Sequence, residues 1–269
     1  MSILVVEVLP QGIIFGADRN ITITKKRIVN QGSTFIKYQG QSQRQKVLRW
    51  PNRKALVGYV GVAEIGGIPI DEWLYDFIGD NLNFSSFKDL SESLCSKVEA
   101  QRRIDEGINE PEMLIIHLGG FEEKNKILVP SIYFIRNTYK LAEDGTYEDI
   151  RKEFQNSEEL WSDSYFGSKI PPEKIRTYLE KVASEYKPFW FHQGIDLLTF
   201  NTIESFQKIA FKFLCESSAV HPFPKTLLDW EKQVKMSILT YSAYFQAYKG
   251  PSEQFVGGGV DTVSLPWPD

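Results

Sequence analysis

The chain has 269 residues, 42% hydrophobic and 25% charged, with 31 Lys+Arg against 35 Asp+Glu for a formal net charge of −4. That composition excludes a disordered chain, and the mildly acidic balance excludes the broad basic footprint that nucleic acid or anionic lipid demands. Two cysteines, Cys95 and Cys215, and three histidines, none at metal-ligand spacing, exclude a disulfide scaffold and structural zinc.

The first twenty residues predict a hairpin. Residues 3–8 (Ile-Leu-Val-Val-Glu-Val) are apolar and β-branched, Pro10-Gln11-Gly12 supplies a turn, and residues 12–18 resume the same character. No basic flank precedes the first strand, so it does not read as a secretory signal, and no apolar run reaches the roughly 18 residues of a membrane span; a cytoplasmic location with reduced thiols is the expectation. Residues 20–45 read as an extra hairpin with a loop, inserted before the next strand, and the basic triplet Lys25-Lys26-Arg27 reads as a solvated turn. Residues 46–50 and 54–61 form a further hairpin around Pro51-Asn52.

The period then changes. Trp73, Leu74, Phe77 and Ile78 recur at helical spacing, and a second helix begins at a Ser85-Ser86 cap with Phe87, Leu90, Leu94 and Val98 on one face. Strands return at 113–118, 127–129 and 132–136, with turns expected at Gly119-Gly120 and at 143–145, and residues 164–168 close this block. Pro171-Pro172 opens another helix through Leu179 and Val182. Residues 186–201 show no clean period, 202–215 and a longer stretch from Thr226 to Phe245 are helical, and Gly257-Gly258-Gly259 turns into a last strand ending near Leu265. Sheet blocks alternating with helix blocks predict an α+β fold in which two sheets pack face to face with helices outside, a four-layer αββα sandwich, as a single domain over 1–269.

Chemistry concentrates at the chain start. If Met1 is trimmed, Ser2 carries a hydroxyl and a free α-amine on one carbon; such an amine has a pKa of about 7.7–8.0 and can act as base for its own hydroxyl. A neighbouring lysine cation would lower that pKa, and a carboxylate would keep the lysine charged. Asp18, ending the strand that pairs with the first, and Lys46, opening the next, are placed for this; Gly61, at the end of an apolar strand, offers a backbone N–H to an oxyanion. The plainer readings are a turn cap for Asp18, a surface strand residue for Lys46 and a turn glycine for Gly61. His117, on an apolar strand, reads as a satisfied core histidine, and His192 and His221 have no partner acid at motif spacing.

These residues carry a resemblance. Ser2 through residues 12–19 (Gly-Ile-Ile-Phe-Gly-Ala-Asp-Arg), then Lys46-Val47-Leu48, then residues 58–64 (Gly-Tyr-Val-Gly-Val-Ala-Glu) resemble a proteasome β-type subunit of the N-terminal nucleophile hydrolases. Residues 114–122, 165–168 and 253–258 resemble later landmarks of that family more loosely. The resemblance implies the αββα fold and amide-bond hydrolysis, with Ser2 matching the nucleophilic threonine, Asp18 the aspartate, Lys46 the lysine, Gly61 the oxyanion glycine, Ser168 the supporting serine and Glu253 the supporting aspartate. It implies no metal or organic cofactor, a peptide or amide substrate, and like subunits in a ring or cylinder, and leaves any ATPase partner unnamed. The departures are a serine for the threonine, a long segment between Asp18 and Lys46 with Lys37 as a competing lysine, Glu253 one methylene longer than aspartate, and Val256 in place of a second supporting serine. Three functions follow: an N-terminal-serine peptidase, an inactive structural or interaction subunit, and an acylase or transpeptidase.

Overall fold

A computed structural model describes residues 3–29, 32–52, 54–105, 113–137, 139–141, 147–150, 153–163, 165–167, 169–184, 189–193, 205, 209, 224–248 and 257–268. The chain is a mixed α/β protein with antiparallel sheets. In order it forms β1 (Leu4–Leu9), β2 (Gly12–Asp18), β3 (Asn20–Val29), β4 (Gly32–Gln43), β5 (Val47–Arg49), β6 (Ala55–Gly61), β7 (Glu64–Ile65) and β8 (Ile68–Pro69). Helices α1 (Ile70–Asp80) and α2 (Phe87–Asp105) follow, then β9 (Leu114–Lys124), β10 (Ile127–Asn137), β11 (Tyr139–Leu141), β12 (Tyr147–Ile150) and β13 (Gln155–Glu158). A 3-10 turn (Pro172–Lys174), helix α3 (Ile175–Ser184), β14 (Phe189–Gln193), helix α4 (Leu227–Tyr248) and β15 (Val260–Pro266) complete the described elements.

Two sheets dominate, one in the order β14-β1-β2-β15 and one in the order β13-β10-β9-β6-β5. Every residue of β1 and β2 is buried, because the first sheet is covered on both faces. Alternation divides their side chains: Leu4, Val6, Val8, Ile13 and Phe15 join Leu56, Val60, Ile115 and Ile132 of the second sheet in one apolar cluster, whereas Ile3, Val5, Leu9 and Ile14 join Trp230, Val234, Ile238 and Tyr241 of α4 in another. The far face of the second sheet buries Leu48, Val57, Tyr59 and Ile116 against Leu74 and Phe77 of α1 and Leu90 and Leu94 of α2. Each fully buried Leu, Ile or Phe contributes about 1.5–3 kcal/mol to holding these surfaces together. The Ser86 hydroxyl accepts the Asp89 N–H at 3.0 Å and starts α2 where the serine pair predicts.

Four expectations need correction. Gly119-Gly120 is no turn but the middle of β9, and the chain reverses at Asn125-Lys126, both with positive φ (53° and 64°). These glycines are close-approach sites: a Cβ on Gly119 would lie 2.7 Å from the Phe15 ring, and one on Gly120 2.7 Å from the Phe87 ring, so each leaves room for an aromatic from the neighbouring layer. Likewise Lys25-Lys26-Arg27 lies inside β3, not in a turn. Residues 165–167 form turns rather than a strand end. Residues 186–201, read as aperiodic, contain β14, whose five residues pair with β1 from Val8↔Phe189 to Leu4↔Gln193. The turn expected at 143–145 lies outside the described residues, as does the helix expected over 202–215 apart from Ser205 and Ile209, both helical.

Candidate functional site

Strand pairing assembles the site. The register Leu4↔Ala17 brings Asp18, at the end of β2, beside the first described residue, and the Asp18 carboxylate Oδ1 accepts the Ile3 N–H at 2.8 Å. That nitrogen is the one joining Ser2 to Ile3. Lys46 arrives from the other sheet: it precedes β5, and its carbonyl accepts the Tyr59 N–H at 3.0 Å. Its Nζ donates to Asp18 Oδ1 at 3.0 Å and also to the Asn20 carbonyl oxygen. The second carboxylate oxygen, Oδ2, accepts the N–H groups of Asn20 and Gly257, both at 3.3 Å.

Both charged groups are out of water, Asp18 at 0% and Lys46 at 2% exposure. Burial pushes the Asp18 carboxyl up, opposed by the Lys46 cation and by the Ile3 and Gly257 N–H groups. It pushes the Lys46 ammonium down, opposed by Asp18. The pair persists because each ion keeps its partner and gains further hydrogen bonds, the condition under which a buried ion pair survives its desolvation. The plain reading of Lys46 as a surface residue therefore fails on burial, whereas Asp18 does cap the turn after β2 through the Asn20 N–H while also holding Ile3, Lys46 and Gly257.

By register Lys37 lies away from the Asp18–Lys46 pair. Lys37 pairs with Thr24, four residues beyond Asn20 on β3, roughly 13 Å along the strand at its usual rise. Gly61 ends β6 exposed, with φ +115°, and a Cβ there would collide with the Met113 carbonyl oxygen. Only glycine fits that backbone. Ser2, Ser168, Glu253 and Val256 lie outside the described residues.

Sequence reasoning missed the backbone share of the site. Asn20 supplies a carbonyl to Lys46 and an N–H to Asp18, and Gly257, read only as a turn residue, donates to the same carboxylate. Three successive glycines on one side and a carboxylate ending a strand on the other were the available signals. Arg19 also pairs with Asp261 of β15, its Nε 2.8 Å from the carboxylate, and ties the same end of β2 to the last strand. His117 is a correction in part. It is wholly buried and stacks on Phe134 with ring centroids 3.9 Å apart, but neither nitrogen has a hydrogen-bond partner among the described residues, and burial pushes its pKa down to about 3. Among the described residues, no three His, Cys, Asp or Glu side chains gather to hold a metal, and no helix is long and apolar enough to cross a membrane.

No family model matches the chain, and no curated protein matches it. Among solved structures it is similar to Anbu (ancestral beta-subunit) from Yersinia bercovieri, at 11% identity and a TM-score of 0.46, over 98% of this chain and 82% of that one. It is also similar to an Anbu (Gly-1) mutant from Hyphomicrobium sp. strain MC1, at 13% identity and a TM-score of 0.44, over 99% and 82%. These findings correct the family resemblance. No family model places the chain among proteasome β-type subunits, and the solved structures it is similar to are Anbu proteins at 11–13% identity.

Proposed function

We infer that the protein is an N-terminal-serine amidohydrolase, acting through Ser2 after loss of Met1. The supporting observation is the Asp18 carboxylate, which accepts the Ile3 N–H and the Lys46 ammonium at once and so holds a buried cation at the start of β1. The two facing sheets with helices outside are read with it as a four-layer αββα sandwich in a single domain, a scaffold that delivers Asp18 and Lys46 from different sheets.

The chemistry needs no other base. Neutral α-amine takes the Ser2 Oγ proton as Oγ attacks the amide carbon, and the developing oxyanion is met by a backbone N–H, the role proposed for Gly61. The leaving nitrogen takes the proton from the α-ammonium as the C–N bond breaks, which leaves an ester on Ser2. Water, deprotonated by the same amine, attacks the ester, and the ammonium returns that proton to Ser2 Oγ as the ester C–O bond breaks and the acid is released. Lys46 contributes electrostatically: a cation beside the amine disfavours its ammonium form, so more of it is free base at neutral pH. Ser168 and Glu253 belong to the proposal as supporting groups around the amine. Peptide hydrolysis and acyl transfer to a second amine share the ester and differ only in what resolves it, so product analysis with added amines separates them.

One observation favours a second reading. The Asp18–Lys46 pair, with the Asn20 and Gly257 backbone contacts, also pins the chain start to both sheets, and a subunit serving only in assembly would use it in that way. Intact mass before and after a β-lactone probe decides between them. The enzyme reading expects a mature chain without Met1 and one adduct, absent in Ser2→Ala; a folded, unmodified chain that retains Met1 supports the structural reading.

A further inference from the structure

Between Asp18 and Glu64 the sequence has no acid and ten of the 31 lysines and arginines, which leaves 21 cations against 35 acids in the remainder. The chain is therefore segregated in charge, although its net charge is small. Part of the basic block is absorbed at its base, where Arg19 pairs with Asp261, Lys46 with Asp18 and Arg44 with Glu72. Lys25, Lys26, Arg27 and Lys37 lie on the β3–β4 ribbon.

That ribbon is unusual as an element. Its strands of ten and twelve residues pair only with each other among the described residues. At the usual rise β3 alone runs about 33 Å. A two-stranded hairpin is marginal in water, and its unpaired edges invite another surface to cover them. The base is firmly held by the Asp18–Lys46 pair and by the Arg44 N–H, which donates to the Arg19 carbonyl at 3.1 Å.

A surface of opposite charge exists on the same chain. Helix α1 carries Asp71, Glu72, Asp76 and Asp80 and no base. Glu72, Asp76 and Asp80 are exposed and recur every fourth residue, so they form a stripe with charges about 6 Å apart. Lys25 and Arg27, at alternate positions of β3, stand about 6.7 Å apart. The two spacings match. Arg44 and Lys97 touch Glu72 and Asp80 but are themselves partly exposed, and such contacts exchange at little cost.

We propose that the β3–β4 ribbon is an interaction arm that docks on the acidic stripe of helix α1 in a second copy of this chain. The contact joins two different surfaces, so each copy offers both an arm and a stripe, and association propagates head to tail. A nucleic acid fits worse, since it would meet the acid-rich remainder of the chain as well as the arm. The proposal is independent of the chemistry at Ser2.

Native mass spectrometry and light scattering of the full chain test it. Wild type associates at about 50 mM salt and dissociates toward 1 M, where the screening length falls to about 3 Å. The arm variant Lys25→Glu/Lys26→Glu/Arg27→Glu and the stripe variant Asp76→Lys/Asp80→Lys each need at least about tenfold more protein to associate. An equimolar mixture of the two associates again, because the reversed arm meets the reversed stripe. Wild type that stays monomeric at low salt, association indifferent to both reversals, or failure of the mixture to recover would overturn the proposal. So would an arm that binds an added oligonucleotide in place of a second copy. If either variant fails to fold, the salt dependence of the wild-type assembly still decides: association that is insensitive to salt overturns the proposal.

Discussion

The Asp18 carboxylate works by accepting from four groups at once, and each contact makes a separate demand on the residue. Asp18→Asn keeps the shape but leaves Lys46 buried without its counter-ion, a change that costs about 3–5 kcal/mol. Urea unfolding should show that loss as a lower midpoint with an unchanged slope. Removal of the cation separates the chemistry from the fold. If Lys46 lowers the pKa of the Ser2 amine, kcat/KM rises with pH through an inflection below about 7.7–8.0. In Lys46→Met that inflection moves upward and the rate at neutral pH falls by up to about tenfold, the loss of free amine when its pKa returns to about 8. A pH profile unchanged in Lys46→Met would assign the lysine to structure alone. Asp18 and Lys46 were legible in the sequence because a charged residue at the end of an apolar strand is conspicuous. Asn20 and Gly257 were not, because they act through backbone atoms that any residue type possesses.

At the scale of elements, patterns that repeat within a segment were readable and those set by a neighbouring layer were not. The helical spacing of Leu74, Phe77, Leu90 and Leu94 and the Ser86 cap appear where expected, since both depend on local geometry. Gly119-Gly120 misled because glycine pairs signal turns, whereas here they admit Phe15 and Phe87 from opposite faces. Strand β14 escaped because its aromatic run Phe189-Trp190-Phe191 has no alternation, and its place comes from pairing with β1. Two substitutions probe this reading. Gly119→Ala forces a Cβ to 2.7 Å from the Phe15 ring and should destabilise by about 1–3 kcal/mol, measured by thermal or urea unfolding. Lys126→Gly acts in the opposite direction: it relieves a left-handed non-glycine residue in a two-residue hairpin turn that favours Asn-Gly, and should stabilise by about 0.5–1 kcal/mol.

Over the whole molecule, the two sheets face each other through one apolar cluster, and His117 sits inside it. Its folded pKa of about 3 lies below the ordinary value of 6.5, so the stability that comes from burying neutral imidazole is complete above pH 6.5. That stability is lost as pH falls toward 3, at up to about 1.4 kcal/mol per pH unit. His117→Leu should flatten the acid limb of the stability curve across that window, and an acid limb identical to wild type would show that other groups control it. Whether Ser2, at the start of β1, is a nucleophile is decided by the intact mass of the purified protein with and without a β-lactone. A chain lacking Met1 that gains a single adduct, lost in Ser2→Ala, is the predicted result; a folded chain that keeps Met1 and remains unlabelled would contradict it.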